Sequence, residues 1–591
     1  MKVLIIGGGG REHALAWKLS GSPRVTDLYA SPGSDAIAAL AQCVNLTDHQ
    51  AVADFAEKEG IDLTVVGPEA PLVDGLADLL SARGLRAFGP SRAAAALEGS
   101  KAFAKNFMQR HNIPTAPHAT FDDPEAACAY LEKQEGPYVI KADGLAAGKG
   151  VVIRLEREEA RQAIHSMMVD KAFGTAGERV VIEGFLRGEE ASYFVISDGA
   201  NYVALPSVQD HKPIGELDRG PNTGGMGAYC PAPVVTPETE RKVLEQIVEP
   251  TLRGMAADGH PYSGVLYVGL MISDGDPYVV EYNCRFGDPE CQPLMMMLES
   301  DLADLLDGAA RGEIAQVKPR WRKGAAACIV MASGGYPGEY SKGAAIHGLG
   351  QTEEDDTARV FHAGTVRANG GWATNGGRVL GVTAWGENLS AALERGYRMV
   401  EGISWEGATY RRDIGLKGLK HDRAGRPGVN VGIVLGSASD MEIADKVTSV
   451  LERLNIGYEL AVASAHRTPQ RVSRFIKACQ EQGAEVFIAI AGMAAALPGV
   501  VAAETVLPVI GVPVKSSAFE GMDALLSIAQ MPPGVPVATV GVNGGANAAL
   551  LAAEILALKY PDLQAGLKEY RLDQENQIEE AHRAAGLSKL I

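Results

Sequence analysis

The residues best suited to chemistry lie in Val279-Val280-Glu281-Tyr282-Asn283-Cys284-Arg285-Phe286-Gly287-Asp288-Pro289-Glu290. In an extended strand, side chains two apart share a face, so Glu281 and Asn283 point the same way. A carboxylate beside an amide oxygen suits magnesium, a hard cation that takes a few protein oxygens and shares nucleotide phosphates. Arg285 then offers a planar fork to a phosphate or carboxylate. The plainer alternative is a strand face carrying a salt bridge.

Three glycine-rich loops could bind anions. Gly144-Leu145-Ala146-Ala147-Gly148-Lys149-Gly150 follows a strand ending in Lys141. It is no P-loop, because that motif needs four residues between its glycines and Ser or Thr after the Lys. It can still fold over a triphosphate, with its amides and Lys149 as donors. Gly220-Pro221-Asn222-Thr223-Gly224-Gly225-Met226-Gly227 is a backbone-rich anion or substrate loop, or a plain turn cluster. Gly7 and Gly9 begin a dinucleotide fingerprint, but Glu12 stands where its third glycine belongs, which disfavours NAD or FAD and an oxidoreductase.

A second set of candidates follows residue 429. In Gly436-Ser437-Ala438-Ser439-Asp440-Met441-Glu442, Ser439 and Glu442 have capping-box spacing, and Ser437 with free helix-start amides can take a phosphate. In Ser464-Ala465-His466-Arg467-Thr468-Pro469, Thr468 reads as an N-cap and Pro469 as the first helical residue. His466 and Arg467 have no such structural explanation. At the carboxyl end of a strand, a neutral His suits proton transfer and an Arg suits phosphate.

The elements that must carry these residues divide by texture. Lys2–Ile6, the helix-like 11–19 and Leu63–Val66 have a βαβ rhythm, which implies a parallel sheet. From about residue 100 to 325, short strand-like runs alternate with glycine turns, implying α+β structure with antiparallel sheets. Residues 326–425 add strands at Ala327–Met331 and Arg378–Trp385 and a helix over 390–400. The polar, turn-rich 421–428 reads as a linker. Beyond it, five strands at 431–435, 459–462, 486–491, 508–511 and 537–540 alternate with helices, as in a three-layer doubly wound domain.

The first 425 residues resemble the phosphoribosylamine–glycine ligases. The resemblance rests on Gly8-Gly9-Gly10-Arg11-Glu12-His13-Ala14, Val66-Gly67-Pro68-Glu69-Ala70-Pro71-Leu72, Leu97-Glu98-Gly99-Ser100-Lys101 and Ile140-Lys141-Ala142-Asp143 with the loop after it. Gln209-Asp210-His211-Lys212, the 220–229 loop and Asn283–Glu290 complete it. It implies an ATP-grasp enzyme that joins glycine to 5-phosphoribosylamine through an acyl phosphate, using ATP with Mg2+ or Mn2+. Lys101 and Lys141 would hold ATP phosphates, under the loop of Gly148, Lys149 and Gly150. Glu183 and Leu186 would border adenine, and Glu190 the ribose. Glu281 and Asn283 would hold metal. Asp210, Asn222, Arg285 and Asp288 would face the other substrates. The implied order is a preliminary α/β domain (1–103), an ATP-grasp domain (104–325, lid about 121–187) and a C-terminal domain (326–420).

Residues 429–575 resemble the N5-carboxyaminoimidazole ribonucleotide mutases, through the two segments above, Ala491–Gly499 and Gln530–Val537. The resemblance implies a flavodoxin-like domain over 429–591 that moves a carboxylate from N5 to C4 of an imidazole ribonucleotide without cofactor. His466 would shuttle the proton, while Ser437, Asp440, Ser464, Arg467 and Gly492 would bind the nucleotide. It also implies a homo-oligomer, an octamer in that family, with the Ala-rich 546–558 run as a packing helix. Where the family loop has a His, this chain has Ala496, as the direct carboxylases lack that His. Arg467, Pro469 and Leu497-Pro498-Gly499 look like the mutase branch, which is the preferred reading over a direct carboxylase or a non-catalytic assembly domain.

Composition narrows the partners. With 55 Lys and Arg against 73 Asp and Glu, the net charge is −18 and no basic stripe stands out, which argues against nucleic acid. The 7 scattered cysteines form no C-x-x-C pair, and no long apolar run suggests a membrane span, so the expected setting is the cytoplasm.

Overall fold

The computed structural model describes residues 1–145, 150–352, 354–424, 429–516 and 519–584. It divides into two compact units, Met1–Gly415 and Leu416–Ile591.

The first unit opens with a five-stranded parallel sheet in the order Gln42–Cys43, Asp27–Pro32, Lys2–Gly7, Leu63–Val66, Ala87–Phe88. Its central strands bury Val3, Leu4, Ile5, Leu63, Val65 and Val66, short apolar runs of the kind a sheet covered on both faces requires. The turn after Lys2–Gly7 explains the broken dinucleotide fingerprint. The Glu12 carboxylate enters the turn and accepts the Gly9 amide at 2.8 Å. A Cβ at Gly7 would lie 2.7 Å from Glu12 Cγ, and one at Gly67 would lie 2.2 Å from Glu12 Oε1. Those two glycines therefore make room for a side chain of the protein itself.

Three larger antiparallel sheets follow, with two smaller ones, as the texture beyond residue 100 implies. One has the order His118–Phe121, Val180–Gly184, Tyr138–Ala142, Val151–Arg154. It packs on the helices Pro124–Leu131 and Arg157–Met168 through Ala127, Leu131, Ala160 and Ile164. A second runs Tyr202–Ala204, Glu189–Asp198, Ser263–Ser273, Asp276–Asn283. The third joins Gln209–Asp210, Gly227–Cys230, Ala325–Ala332, Arg378–Gly386 and Ala358–His362. Ala325–Ala332 pairs with Gly227–Cys230, so this sheet runs straight across the 325/326 boundary drawn from sequence. A pairing between segments about a hundred residues apart leaves no mark in local periodicity.

Helix Gly10–Ser20 is pinned to this third sheet by histidines. His13 Nδ1 accepts the His362 amide at 2.8 Å, and the His13 ring meets Phe361 edge-on. His362 lies tilted against Trp372, and its Nδ1 lies 3.0 Å from Thr365 Oγ1.

The second unit has a parallel sheet in the order Tyr458–Val462, Val431–Leu435, Val486–Gly492, Val509–Val514, Ala538–Thr539. This is the doubly wound flavodoxin-like order. Helix Met441–Arg453 buries Ile443, Val447, Val450 and Leu451, the stripe its spacing predicts. Two expectations change here. The Ala-rich run forms helix Gly545–Leu556, and its Ala548, Ala549, Ala552 and Ala553 are already buried in the unit's own core with Ile443 and Val447. Residues Leu416–Ala424 are helical, so the turn-rich linker expected from His421 begins inside a helix; residues 425–428 lie outside the described residues. Among the described residues no helix is long and apolar enough to cross a membrane.

The histidine pair makes the first unit sensitive to acid. Burial lowers the His13 imidazole from 6.5 to about 3, helped by His362 and Arg359. Burial and Arg367 lower His362 from 6.5 to about 4. Both rings fold neutral, and the unfolded chain takes up protons first. Their stabilisation is therefore complete above pH 6.5 and declines as pH falls from there towards 4. Urea midpoints measured from pH 7 to pH 5 should fall, and His362→Phe should flatten that decline.

Candidate functional site

The nucleotide candidates gather around the start of helix Lys101–Arg110. Ser100 caps that helix by accepting the Phe103 amide, and its hydroxyl donates to Asp143 Oδ1 at 2.9 Å. Asp143 also accepts the Ala102 amide at 3.0 Å. The helix start is thus tied to the loop that opens at Gly144, whose carbonyl accepts Lys101 Nζ at 2.9 Å. Gly150 closes the loop, its carbonyl accepting the Ala142 amide at 2.8 Å. Gly148 and Lys149 lie outside the described residues.

Lys141 projects from Tyr138–Ala142 to Glu183 Oε1 at 2.9 Å and to the Val280 carbonyl at 3.1 Å. Glu183 lies in Val180–Gly184, and Leu186 is half-buried just beyond. Burial pushes the Glu183 carboxyl up, but Lys141 and Lys105 outweigh it and hold the group below its usual range.

Glu281 and Asn283 do share a face of Asp276–Asn283, both half-buried on either side of buried Tyr282. Between Glu281 and Glu190 stands Lys212, with Nζ 3.2 Å from Glu190 Oε2 and 3.8 Å from Glu281 Oε1. Burial raises the Glu281 carboxyl, and Lys212, Lys141, Lys101 and Arg285 together reverse this and keep it ionised. Asp210 is buried beside the same group. Burial pushes it up to about 7; Lys212 opposes the shift, and Glu290, Glu190 and Glu281 add to it. Lys212 is the residue the motif reading passed over. It follows Asp210 and His211 in a segment noted only for its likeness to a family.

Arg285 differs from its expectation. Its fork is occupied by the protein: Nε lies 3.1 Å from Glu69 Oε2, and Nη2 lies 2.9 Å from Glu98 Oε1 and 3.2 Å from Asn283 Oδ1. Glu98 also accepts the Cys284 amide at 2.7 Å. The arginine aligns Asn283 instead of presenting a free fork. Asp288 accepts from Gln292 Nε2 at 2.9 Å and lies 3.4 Å from Arg378 Nη2. Burial would raise its carboxyl, but Arg378, Arg11, Gln292 and Arg285 lower it. Arg378 also donates to the Gly224 carbonyl at 2.6 Å, which joins Asp288 to the 220–227 loop. Asn222 in that loop is exposed on Arg219–Asn222.

In the second unit the candidates sit at the carboxyl ends of the parallel strands. Arg467 Nη2 donates to the Gly436 carbonyl at 3.0 Å, and its amide donates to Ser464 Oγ at 3.3 Å. This brings Ser437, Ser464, His466 and Arg467 to neighbouring strand ends, with His466 exposed. Asp440 is half-buried, and burial raises its carboxyl while Ser439 opposes. The capping box does not form. A 3-10 turn over Ala438–Asp440 intervenes, Ser437 accepts the Ser439 amide, and Ser439 donates to Asp440 at 3.0 Å. Thr468 stands at the cap position of Pro469–Glu481, but its hydroxyl accepts the Ser464 amide at 2.9 Å instead of a helix amide. Gly492 ends the central strand; Met493 and Ala495 beyond it take φ of 58° and 39°, strained for residues with a Cβ. Ala496, in the family's His position, immediately precedes helix Leu497–Glu504.

Comparison with known proteins accounts for both units. Residues 1–98, 99–291 and 326–417 match the N, ATP-grasp (A) and C domains of phosphoribosylglycinamide synthetase. A phosphoribosylamine–glycine ligase of Vibrio cholerae is 52% identical over 429 residues, 72% of this chain and 100% of that protein. The chain belongs to the phosphoribosylamine–glycine ligase family. A ligase of that name from Pseudomonas aeruginosa is 52% identical over 428 residues, 72% of this chain and 99% of its own. The crystal structure of a Thermotoga maritima phosphoribosylamine–glycine ligase superposes with a TM-score of 0.62 at 35% identity, covering 70% of this chain and 100% of that one. A Hydrogenobacter thermophilus biotin carboxylase domain shares the fold, with a TM-score of 0.55 at 18% identity, over 71% of this chain and 93% of its own. Residues 430–577 match the AIR carboxylase family, so the ligase-family chain carries a second enzyme-family domain.

Because Arg285 joins two carboxylates to Asn283, Arg285→Lys should be costly. A lysine lacks the planar fork that serves both partners. Equilibrium unfolding should show a loss of about 2 kcal/mol, between that of an exposed pair and a fully buried one, because Glu69 is partly exposed.

Proposed function

We propose that the chain is a bifunctional enzyme of purine synthesis. The first unit would ligate glycine to 5-phosphoribosylamine at the expense of ATP. The second would convert N5-carboxyaminoimidazole ribonucleotide to 4-carboxy-5-aminoimidazole ribonucleotide. The observation that carries the first activity is the convergence of Lys101, Lys141, Glu183, Glu190, Glu281 and Asn283 in a chain of ligase-family sequence.

In this reading Lys101 and Lys141 bind the phosphates of ATP. The Glu281 carboxylate and the Asn283 amide oxygen are hard donors on one strand face, a set that fits Mg2+ or Mn2+. Such a cation would offset phosphate charge during transfer. The glycine carboxylate takes the γ-phosphoryl group, giving a glycyl phosphate and ADP. The phosphoribosylamine nitrogen then attacks the acyl carbon, and phosphate departs. No enzyme nucleophile is required; the side chains contribute alignment and charge. Lys212 compensates Glu190 and Glu281, and Arg285 fixes Asn283. Asp288 and Asp210 border the space for the amine and glycine.

In the second unit, Ser437, Asp440, Ser464, Arg467 and Gly492 would hold the ribonucleotide at the strand ends where doubly wound domains bind ligands. Carbon dioxide leaves N5 and is recaptured by C4, and His466 carries the proton that C4 gives up. Arg467, Pro469 and Leu497-Pro498-Gly499 support the mutase. One observation favours direct carboxylation of aminoimidazole ribonucleotide instead: the methyl group of Ala496 cannot transfer a proton. We also infer a cytoplasmic homo-oligomer assembled through the second unit, in keeping with exposed Phe519, Met522 and Leu526 along one side of a helix and its leading turn.

Separate assays on the intact chain test the two activities. Glu281→Ala should abolish ligation and leave carboxyl conversion unchanged, since distant sites seldom couple. His466→Asn should do the reverse, with conversion reduced by about 10²–10⁴-fold and ribonucleotide binding retained. Loss of both activities in either folded variant contradicts two sites. Turnover of aminoimidazole ribonucleotide with carbon dioxide, and none of its N5-carboxy derivative, rejects the mutase.

Light scattering should report a multiple of 62.2 kDa. A monomer mass rejects the oligomer.

A further inference from the structure

Helix Lys101–Arg110 buries a second lysine one turn beyond Lys101. Lys105 Nζ lies 2.8 Å from Glu183 Oε2, while Lys141 Nζ lies 2.9 Å from Oε1, and all three side chains are under 5% exposed. A further bond of each ammonium is also fixed. Lys105 donates to Thr115 Oγ1 at 2.6 Å, and that hydroxyl donates to the Val279 carbonyl at 2.7 Å. Lys141 donates to the neighbouring Val280 carbonyl at 3.1 Å. One buried carboxylate is therefore shared by two ammoniums, each braced against the strand that carries Glu281 and Asn283.

This arrangement matters once Lys141 has another anion to serve. A buried carboxylate that loses its only counter-charge is costly. If Lys141 were the sole partner of Glu183, moving to a phosphate would strand that carboxylate, and Glu183 would compete with the nucleotide for the lysine. With Lys105 on the other oxygen, Glu183 stays compensated.

We propose that Lys105 is a positioning residue of the nucleotide site, neutralising Glu183 so that Lys141 is free to bind phosphate. Lys105 acts through Glu183 and Lys141 and need not touch the nucleotide. The inference rests on Lys141 as a phosphate ligand, and the experiment keeps the two apart.

The test measures KM for ATP and kcat for glycine ligation on full-length variants, with folding followed by circular dichroism. Lys141→Met should impair ATP use; if neither KM nor kcat moves, the phosphate role of Lys141 fails. Lys105→Met should raise KM for ATP about tenfold, the worth of one charge-assisted contact, with kcat within about twofold. Lys105→Arg should stay near the parent value. An unchanged KM in folded Lys105→Met, or equal losses in kcat and stability alone, overturns the proposal. Should Lys105→Met not fold, Lys105→Gln combined with Glu183→Gln decides, because that pair leaves no uncompensated carboxylate. Its KM should match that of Glu183→Gln alone, and a further rise overturns the proposal.

Discussion

Arg285 reaches Glu69 at 3.1 Å, Glu98 at 2.9 Å and Asn283 at 3.2 Å, and its two carboxylate partners come from chain about 200 residues earlier. Those carboxylates sit at the starts and ends of short helices next to the parallel sheet, while Asn283 ends a strand of an antiparallel one. One guanidinium thereby sets the register between two layers that fold from different parts of the sequence. Nearby, Arg378 does similar work for Asp288 and the glycine loop after Arg219. Arg285 and Arg378 are thus engaged with the protein, and Lys101 and Lys141 are held by single carbonyls and a shared carboxylate.

Negative charge is handled in the same way. Glu190, Glu281 and Asp210 crowd one end of the site, and Lys212 stands among them. Carboxylates brought this close would not all ionise without a counter-charge. The lysine helps to hold Glu281 ionised, and Asp210, deeper and less compensated, takes the shift instead.

Much of this was legible from residues alone. Strand Val431–Leu435 has the limits its apolar run implies, and the shared face of Glu281 and Asn283 follows from the two-residue period of a strand. The second unit's strand order agrees with its alternating pattern. What stayed hidden depends on distant partners. Nothing in the sequence near Arg285 announces Glu69 or Glu98, so a free fork was the natural expectation. The Ala-rich helix looked like an interface because its stripe is apolar; only the packing of Met441–Arg453 against it shows what covers that stripe. Ser439 had the spacing of a cap, and a single extra 3-10 turn moved that role to Ser437.

The helix Leu416–Ala424 groups with the second unit and lies along Pro561–Ala584, although in sequence it trails directly from the ligase-family domain. A cut made at the turn-rich 425–428 segment would strip this neighbour from the last helix. A cut between Gly415 and Leu416 would keep the two helices together, but it would take from the ligase half a stretch that relatives spanning 72% of the chain include.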